Sequence, residues 1–429
     1  MSILSEQQVI GTLLRHPDWI AKVTITTADF TDEFLGQAFS AMRAMVASGQ
    51  VVDVFGVSQR MPSQDLALAD LAELWKECLS NPENLEARCE SLRSATRARE
   101  MAELLRVAAT TLESGKDPDA IRARLITRLA SLEDDGRSFV HNSEGVMRQV
   151  VDYLQEAFDA KQTGGIVGIT SGIDALDSVM GGFHKSDLVI VGGRPAMGKT
   201  GFMASLAWSA ASSGKRVGIA SAEMPAVQIG LRMVSMLGKI PSTKIRSCDL
   251  DEQEFSRLTS SASTYRNLPI EIYDKPACTP GDIALQARAW QLSGGLDILF
   301  VDYLTRLNPD DRDSSRTREV GQMVASLKTL AKSLNVPVVC LAQLSRECEK
   351  RSDKRPIMAD LRDSGEIEQE ADAVIFLYRD AVYNESAAPD SAEILLEKNR
   401  HGPCGTVHAR FIPEQMFWTN PWSDDGRSG

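Results

Sequence analysis

Two short stretches carry most of the chemistry available to this chain. "GRPAMGKT", Gly193–Thr200, has the spacing GxxxxGK[ST]. Glycines at those positions let backbone N–H groups close around an anion. The lysine adds a charge for the β and γ phosphates, and the last hydroxyl suits a Mg²⁺ ligand. The stretch reads as a phosphate loop in which Gly193, Arg194, Pro195, Ala196, Met197, Gly198, Lys199 and Thr200 hold ATP, with Thr200 on Mg²⁺. The second stretch, "EKNRHGPCG" (Glu397–Gly405), sets Lys398 and Arg400 on either side of Asn399, just before a Gly-Pro turn. Period-2 alternation on a strand would point both cations to one face. A chain with its own phosphate loop must have some reason for two more cations so far along its length.

Three other polar residues end apolar runs. "DILFVDYL" (297–304) leads into Asp302, which suits the Mg²⁺-side carboxylate of a nucleotide site. "SAEM" (221–224) brings Glu223 just past another run, where a carboxylate can orient and deprotonate an attacking water. Taken alone, a surface glutamate would look the same. "CLAQL" ends in the region of Gln343, either a loop amide or a hydrogen-bond partner for the γ-phosphate. After it comes "LSRECEKRSDKRPIMADLRDSGEIEQE", with Arg346, Lys350, Arg351, Lys354, Arg355 and Arg362 among several acids. The segment is too long for a bare connection. It reads either as a solvated loop of mixed charge or as a grip on a phosphodiester backbone. It has no aromatic residue, so base stacking is not indicated.

The elements that must position these groups are legible in outline. From about residue 166, short apolar runs alternate with helical stretches: "DLVIVGG", "KRVGIASAE", "PIEIYD", "DILFVDYL", "PVVCLAQL" and "AVIFLYRD". Near-continuous apolar strands separated by helices indicate an α/β domain whose mostly parallel sheet is covered on both faces. The close of the chain, "AEILLEKNR", "TVHARFI" and "MFWTN", reads as antiparallel strands. Residues 1–133 read as an all-helical N-terminal domain. Ser5 is a candidate first cap, Gly49 and Gly115 are candidate stops, and a final pair of helices forms a hairpin. Residues 134–165 are a linker whose helix carries Val146, Met147, Val150, Val151, Leu154 and Phe158. That apolar stripe must be buried on its own domain or on a neighbouring chain.

Composition sets the bounds. The chain has 429 residues, 43% hydrophobic and 25% charged, with net charge −12. Such a balance excludes a broadly basic nucleic-acid coat and leaves room for a local basic channel, since exposed charges act over roughly a Debye length of about 8–10 Å. The seven cysteines, Cys78, Cys89, Cys248, Cys278, Cys340, Cys348 and Cys404, form no CxxC pair and no metal-like spacing. They read as reduced thiols. With no signal-like start and no apolar run of membrane-spanning length, a cytoplasmic protein is expected.

In this order the motifs resemble those of the replicative hexameric DNA helicases of the DnaB family. "GGRPAMGKT", "SAEM", "LFVDYL", "LAQLSRECEKRSDKRPIMADLRDSGEIEQEADAVIFLYRD" and "EKNRHGPCGTV" carry the resemblance. The helical N-terminal region is similar only in layout. "SAEM" stands where Ser-Leu-Glu-Met is usual, and Asp363 where glutamate is frequent. The resemblance implies a RecA-like ATPase core over 166–429, a homohexameric ring with ATP at subunit interfaces, and 5′–3′ translocation on single-stranded DNA. It implies a helicase loader and a primase as partners, and the compact build suits a phage or prophage setting. It assigns Arg362, Asp363 and Gly365 to the DNA backbone, and gives Lys398 and Arg400 a role at the neighbour's ATP. A recombination ATPase with a RecA core is the alternative; the helical domain and joining helix favour the ring. A primase fused to the chain is not supported, because residues 1–133 hold no zinc-like Cys/His cluster.

Overall fold

The computed structural model describes residues 3–20, 22–62, 64–78, 84–115, 117–134, 143–162, 164–304, 307, 316–361 and 364–421. These fall into two compact units, Met1–Arg137 and Ser138–Gly429.

The first unit is helical: α1 (Ile3–Arg15), α2 (Glu33–Ala47), α3 (Val54–Ser58), α4 (Gln64–Glu77), α5 (Leu85–Glu113) and α6 (Pro118–Asp134). Val9, Ile10, Leu13 and Leu14 recur at helical spacing on α1, and all four are buried in one cluster with Phe39 and Met42 of α2 and Leu71 of α4. Ser5 is not a cap: α1 already runs from Ile3, so Ser5 lies within it. The buried carboxyl group of Glu6 accepts from the backbone N–H groups of Thr31 (3.0 Å) and Asp32 (3.1 Å). Asp32 in turn caps α2 through Leu35 N. Helices α5 and α6 pack on each other.

The second unit begins with α7 (Ser143–Gln162), and α8 (Asp174–Met180) leads into the sheet. The strands are β1 (Leu188–Gly193), β2 (Val217–Ser221), β3 (Ile270–Tyr273), β4 (Ile298–Asp302), β5 (Val338–Gln343), β6 (Ala373–Tyr378), β7 (Ser391–Asn399), β8 (Gly405–Ile412) and β9 (Phe417–Thr419). Between them lie α9 (Lys199–Ser212), α10 (Ala226–Gly238), α11 (Ser242–Ser247), α12 (Glu252–Arg266), α13 (Pro280–Ser293), α14 (Arg316–Leu334) and α15 (Ser364–Glu370). The sheet order is β3-β2-β4-β5-β1-β6-β7-β8-β9. The first six of these run parallel and the last three antiparallel.

Alternation along the strands builds two cores. Val189, Val191, Phe300, Leu341 and Ile375 face one way, toward α9 and α10. Leu188, Ile190, Leu299, Val301, Cys340 and Phe376 face the other, toward α13 and α14. This is the doubly covered sheet that apolar strands of this kind require.

The antiparallel end of the sheet is anchored on the start of α9. Trp418 is buried, with its ring 5.3 Å from Phe202 and 5.4 Å from Phe411. Its Nε1 donates to Gly198 O (3.1 Å), and its backbone N donates to Ser205 Oγ (3.0 Å). Gly201 lies so close to this hairpin that a Cβ would meet Met416 O at 2.4 Å. Trp418→Ala is therefore expected to destabilise the second unit by about 3–5 kcal/mol, the range for emptying a large buried aromatic. Denaturant unfolding measures this, and a loss below about 1 kcal/mol would contradict the anchoring role.

Candidate active site

Parallel strands deliver their last residues to one edge of the sheet. Gly193 at the end of β1 lies beside Gln343 at the end of β5. Ser221 at the end of β2 lies beside Asp302 at the end of β4. Glu223 follows Ser221 just beyond the edge. The sheet thus brings Gly193, Lys199, Thr200, Glu223, Asp302 and Gln343 to one side.

The loop between β1 and α9 closes through left-handed backbone at Ala196 (φ 67°) and Gly198 (φ 86°). Only glycine fits position 198, since a Cβ there would also lie 2.8 Å from the Phe411 ring. Pro195 turns the loop and Met197 is buried beneath it. Lys199 Nζ donates to the carbonyls of Gly193 (2.7 Å) and Arg194 (3.3 Å). Burial pushes its pKa down to about 8 against the pull of Asp302 and Glu223. Asp302 is the converse. It is 1% exposed, and burial followed by repulsion from Glu223 raises its pKa to about 6. The Thr200 hydroxyl hydrogen-bonds to it, and Arg232 and Lys199 attract it. Its Oδ2 is buried with no hydrogen-bond partner. An orphaned carboxylate oxygen beside a hydroxyl is a hard-oxygen donor set that fits a divalent cation such as Mg²⁺.

The structure adds detail that the loop motif does not carry. The Arg194 guanidinium faces away from the phosphate side: Nη1 donates to Leu344 O (2.9 Å) and Nε to Glu349 (2.8 Å). Arg194 can serve phosphate only through its backbone. Two arginines at the site escaped sequence reasoning. Arg232 on α10 is pushed down from its ordinary pKa by burial, with Asp302 and Glu223 opposing. Arg379 braces the loop through Ala196 O (3.0 Å) and lies 4.2 Å from the centre of the Phe411 ring. No motif spacing announces either one.

Lys398 and Arg400 also need correction. Only Lys398 is on β7. Arg400 lies in the turn beyond it, although its backbone N still donates to Asp372 O and so continues the β6–β7 register past the end of the strand. Their side chains take different partners: Lys398 Nζ donates to Glu368 O, and Arg400 Nη1 lies 3.0 Å from Asp372 Oδ1. Because β7 is antiparallel, Asn399 pairs with Ala373 at the start of β6, and Ala373 pairs with Val189 at the start of β1. The cations therefore sit at the sheet edge opposite their own phosphate loop, separated from it by roughly 13 Å of strand at about 3.3 Å per residue.

In the long segment after β5, much of the basic charge is spent internally. Arg351 pairs with Asp360 at 2.9 and 2.6 Å, and Arg355 with Glu393 at 2.7 Å through both nitrogens. Lys350 pairs with Glu347, and Lys354 lies 4.7 Å over the Tyr383 ring. Arg351 and Arg355 thus hold the segment's shape. Arg362 and Asp363 lie outside the described residues. Gly365 is on α15, with nothing within 4 Å of a Cβ built on it. Among the described residues, no group of three or more His, Cys, Asp or Glu is placed to hold a metal, and no helix is long and apolar enough to cross a membrane. All seven cysteines are free thiols.

Sheet order, phosphate loop and strand-end carboxylates define a RecA-like P-loop ATPase. Comparison with known proteins narrows the class. Residues 168–420 match the DnaB-like helicase C terminal domain, and residues 1–94 the DnaB-like helicase N terminal domain. The replicative DNA helicase DnaB of Pasteurella multocida is 33% identical over 96% of this chain and 91% of its own length. That of Geobacillus stearothermophilus is 33% identical over 98% and 94%. A solved structure described as a DnaB-like replicative helicase and its interactions with primase superposes with TM-score 0.65 and 27% identity, covering 97% of this chain and 99% of that one. A second solved structure, described as an ATPase domain, gives TM-score 0.62 and 32% identity over 66% of this chain and 100% of that one. The chain belongs to the DnaB family of replicative DNA helicases. It is an ATP-dependent replicative DNA helicase.

Two outcomes follow from the site. Phosphate arriving beside Lys199 restores its proton, so ADP binding at pH 8 is expected to take up to about half a proton, whereas at pH 6.5 Lys199 is already charged and the ADP phosphate and Asp302 can only release protons. Calorimetry in buffers of different ionisation enthalpy reads this, and equal uptake at both pH values would contradict it. Glu223→Gln is expected to keep nucleotide binding while slowing hydrolysis by about 10²-fold or more. Wild-type turnover in that variant would place the base elsewhere.

Proposed function

We propose that the chain is one motor subunit of a ring in which each nucleotide is held by one subunit and discharged with the help of the next. The observation that carries this reading is the position of Lys398 and Arg400 at the edge opposite their own phosphate loop. Cations there are out of reach of their own subunit's γ-phosphate and free to meet a neighbour's. In other phosphoryl-transfer systems an arginine supplied in trans accelerates turnover by roughly 10³–10⁵-fold.

Within one subunit, the loop 193–200 binds ATP through its backbone, Lys199 and Thr200. Thr200 and Asp302 would hold Mg²⁺, which supplies charge neutralisation across the phosphates. Glu223 accepts the proton of the attacking water, and Gln343 hydrogen-bonds the γ-phosphate and reports its departure. Gln343 ends the strand that runs directly into the segment reaching Arg362, Asp363 and Gly365, the residues assigned to the single-strand backbone. A change at the phosphate is thereby passed to the DNA-facing segment through one strand end, with 5′–3′ movement as the family resemblance implies.

The division into a helical domain (1–133), a linker (134–165) and a motor domain (166–429) belongs to the same reading. Val146, Met147, Val150, Val151, Leu154 and Phe158 of α7 are all exposed. A neighbouring subunit in the ring would cover them. The structure solved with primase in its description supports a primase partner. A loader follows from the family resemblance, as does work in the cytoplasm.

Mixed rings test the central point. Arg400→Ala subunits keep an intact loop, and Lys199→Ala subunits keep an intact finger. After subunit exchange is verified by mass, the mixture is expected to hydrolyse ATP faster than the sum of the two parents. Full turnover in the pure Arg400→Ala ring would overturn the assignment.

A further inference from the structure

We infer that Asp372 is the positioning residue that presents Arg400 to the neighbouring subunit's nucleotide. The inference rests on the trans role proposed above for Arg400.

Asp372 sits immediately before β6 and is 2% exposed. Its backbone is fixed from both sides: its N donates to Leu188 O, and its O accepts from Arg400 N, each at 2.9 Å. Its two carboxylate oxygens have separate tasks. Oδ2 accepts from Leu188 N (2.8 Å) and from Lys328 Nζ, so it is tied to β1 and α14. Oδ1 accepts from Arg400 Nη1 at 3.0 Å. Burial alone would raise the proton affinity of this carboxyl. The hydrogen bonds from Lys328, Leu188 N and Arg400 outweigh burial and hold it below its ordinary pKa. A charged acceptor is thus built into the rigid end of the sheet.

Arg400 is held differently from an ordinary core arginine. Its side chain is 69% exposed although its partner is 2% exposed. One nitrogen is tethered, and the outward face of the guanidinium is left for another group. The turn that carries it is also braced. Asn399 Oδ1 accepts from His401 N, and Asn399 Nδ2 donates to Pro403 O, both at 3.2 Å. His401 Nε2 lies 2.8 Å from Asp187 Oδ2. An exposed arginine paired with an exposed acid would gain little order. One anchored to a buried carboxylate on a core strand begins near its working position, and a misplacement of about 1 Å can cost roughly 10²-fold in rate.

Asparagine at 372 separates the two tasks. Its single carbonyl oxygen is required where Leu188 N and Lys328 both donate. Its NH₂ then faces Arg400, donor against donor. The sheet end is kept while the finger loses its hold.

The test uses purified full-length rings. Asp372→Asn is expected to lower the ATPase turnover number by about 10–100-fold with the affinity for ADP unchanged. Mixed with Lys199→Ala subunits, whose finger and Asp372 are intact, it should regain activity above the sum of the parents. Mixed with Arg400→Ala subunits, it should not. Asp372→Glu keeps a charge for Lys328 but shifts the carboxylate by one methylene, and should give the same pattern with a smaller loss should the amide variant fold poorly. Wild-type turnover in both variants overturns the proposal. So does a loss that Lys199→Ala subunits cannot rescue, which would mark Asp372 as support for its own subunit's core. Arg400→Ala measured alongside keeps the two ideas apart. If it is inactive while the Asp372 variants are fully active, only the positioning role fails; if it is fully active, the trans reading fails with it.

Discussion

Strand direction decides where every functional group of this domain ends up. Parallel strands β1, β2, β4 and β5 release Gly193, Ser221, Asp302 and Gln343 at one edge. Antiparallel β7 releases Lys398 and Arg400 at the other. On the trans role proposed for Lys398 and Arg400, a single subunit owns both halves of a phosphoryl-transfer site yet cannot bring them together. Closed rotational symmetry resolves the separation, because it sets the trailing edge of one copy beside the leading edge of the next at every interface. Under that proposal the need for a ring follows from strand direction.

The nucleotide edge is held under electrostatic tension. Asp302 and Lys199 are both buried, and burial moves their pKa values toward each other, to about 6 and about 8. Neither charge is fully compensated by the protein. Lys199 occupies itself with loop carbonyls, and Asp302 keeps one oxygen unpartnered. Phosphate and a divalent cation would supply what each lacks, so that binding energy is drawn from charges already desolvated. The opposite edge is the reverse case. Asp372 is buried and saturated by three donors. One end of the sheet is prepared to receive ligand charge, and the other to present a fixed charge outward.

Much of this was legible in the chain, for physical reasons that differ by residue. Five of the six parallel strands showed themselves because burial on both faces demands continuous apolar runs, while β3, at the sheet edge, is half-buried and exposes Glu271. Lys199, Thr200 and Asp302 are fixed by their spacing from those runs. Arg232 and Arg379 were invisible because their placement depends on helix and strand packing rather than on local pattern. The direction of the Arg194 side chain was not legible, because a loop motif does not say which way a side chain turns. Local sequence also suggested that Lys398 and Arg400 share one strand, whereas β7 ends at Asn399 and Arg400 lies in the turn beyond it. In the segment after β5, counting cations overstated the DNA-facing charge, since Arg351 and Arg355 are neutralised by Asp360 and Glu393. Pairing of that kind joins residues distant in sequence, and composition cannot reveal it.

The account stands or falls on whether catalysis requires two subunits. The direct measurement is ATP turnover per subunit followed across a dilution series, with assembly mass and nucleotide binding recorded on the same samples. The account predicts that turnover tracks the assembled fraction and vanishes in monomers, while monomers still bind ADP through their intact loops. Monomers that hydrolyse ATP at the rate of the ring would contradict it.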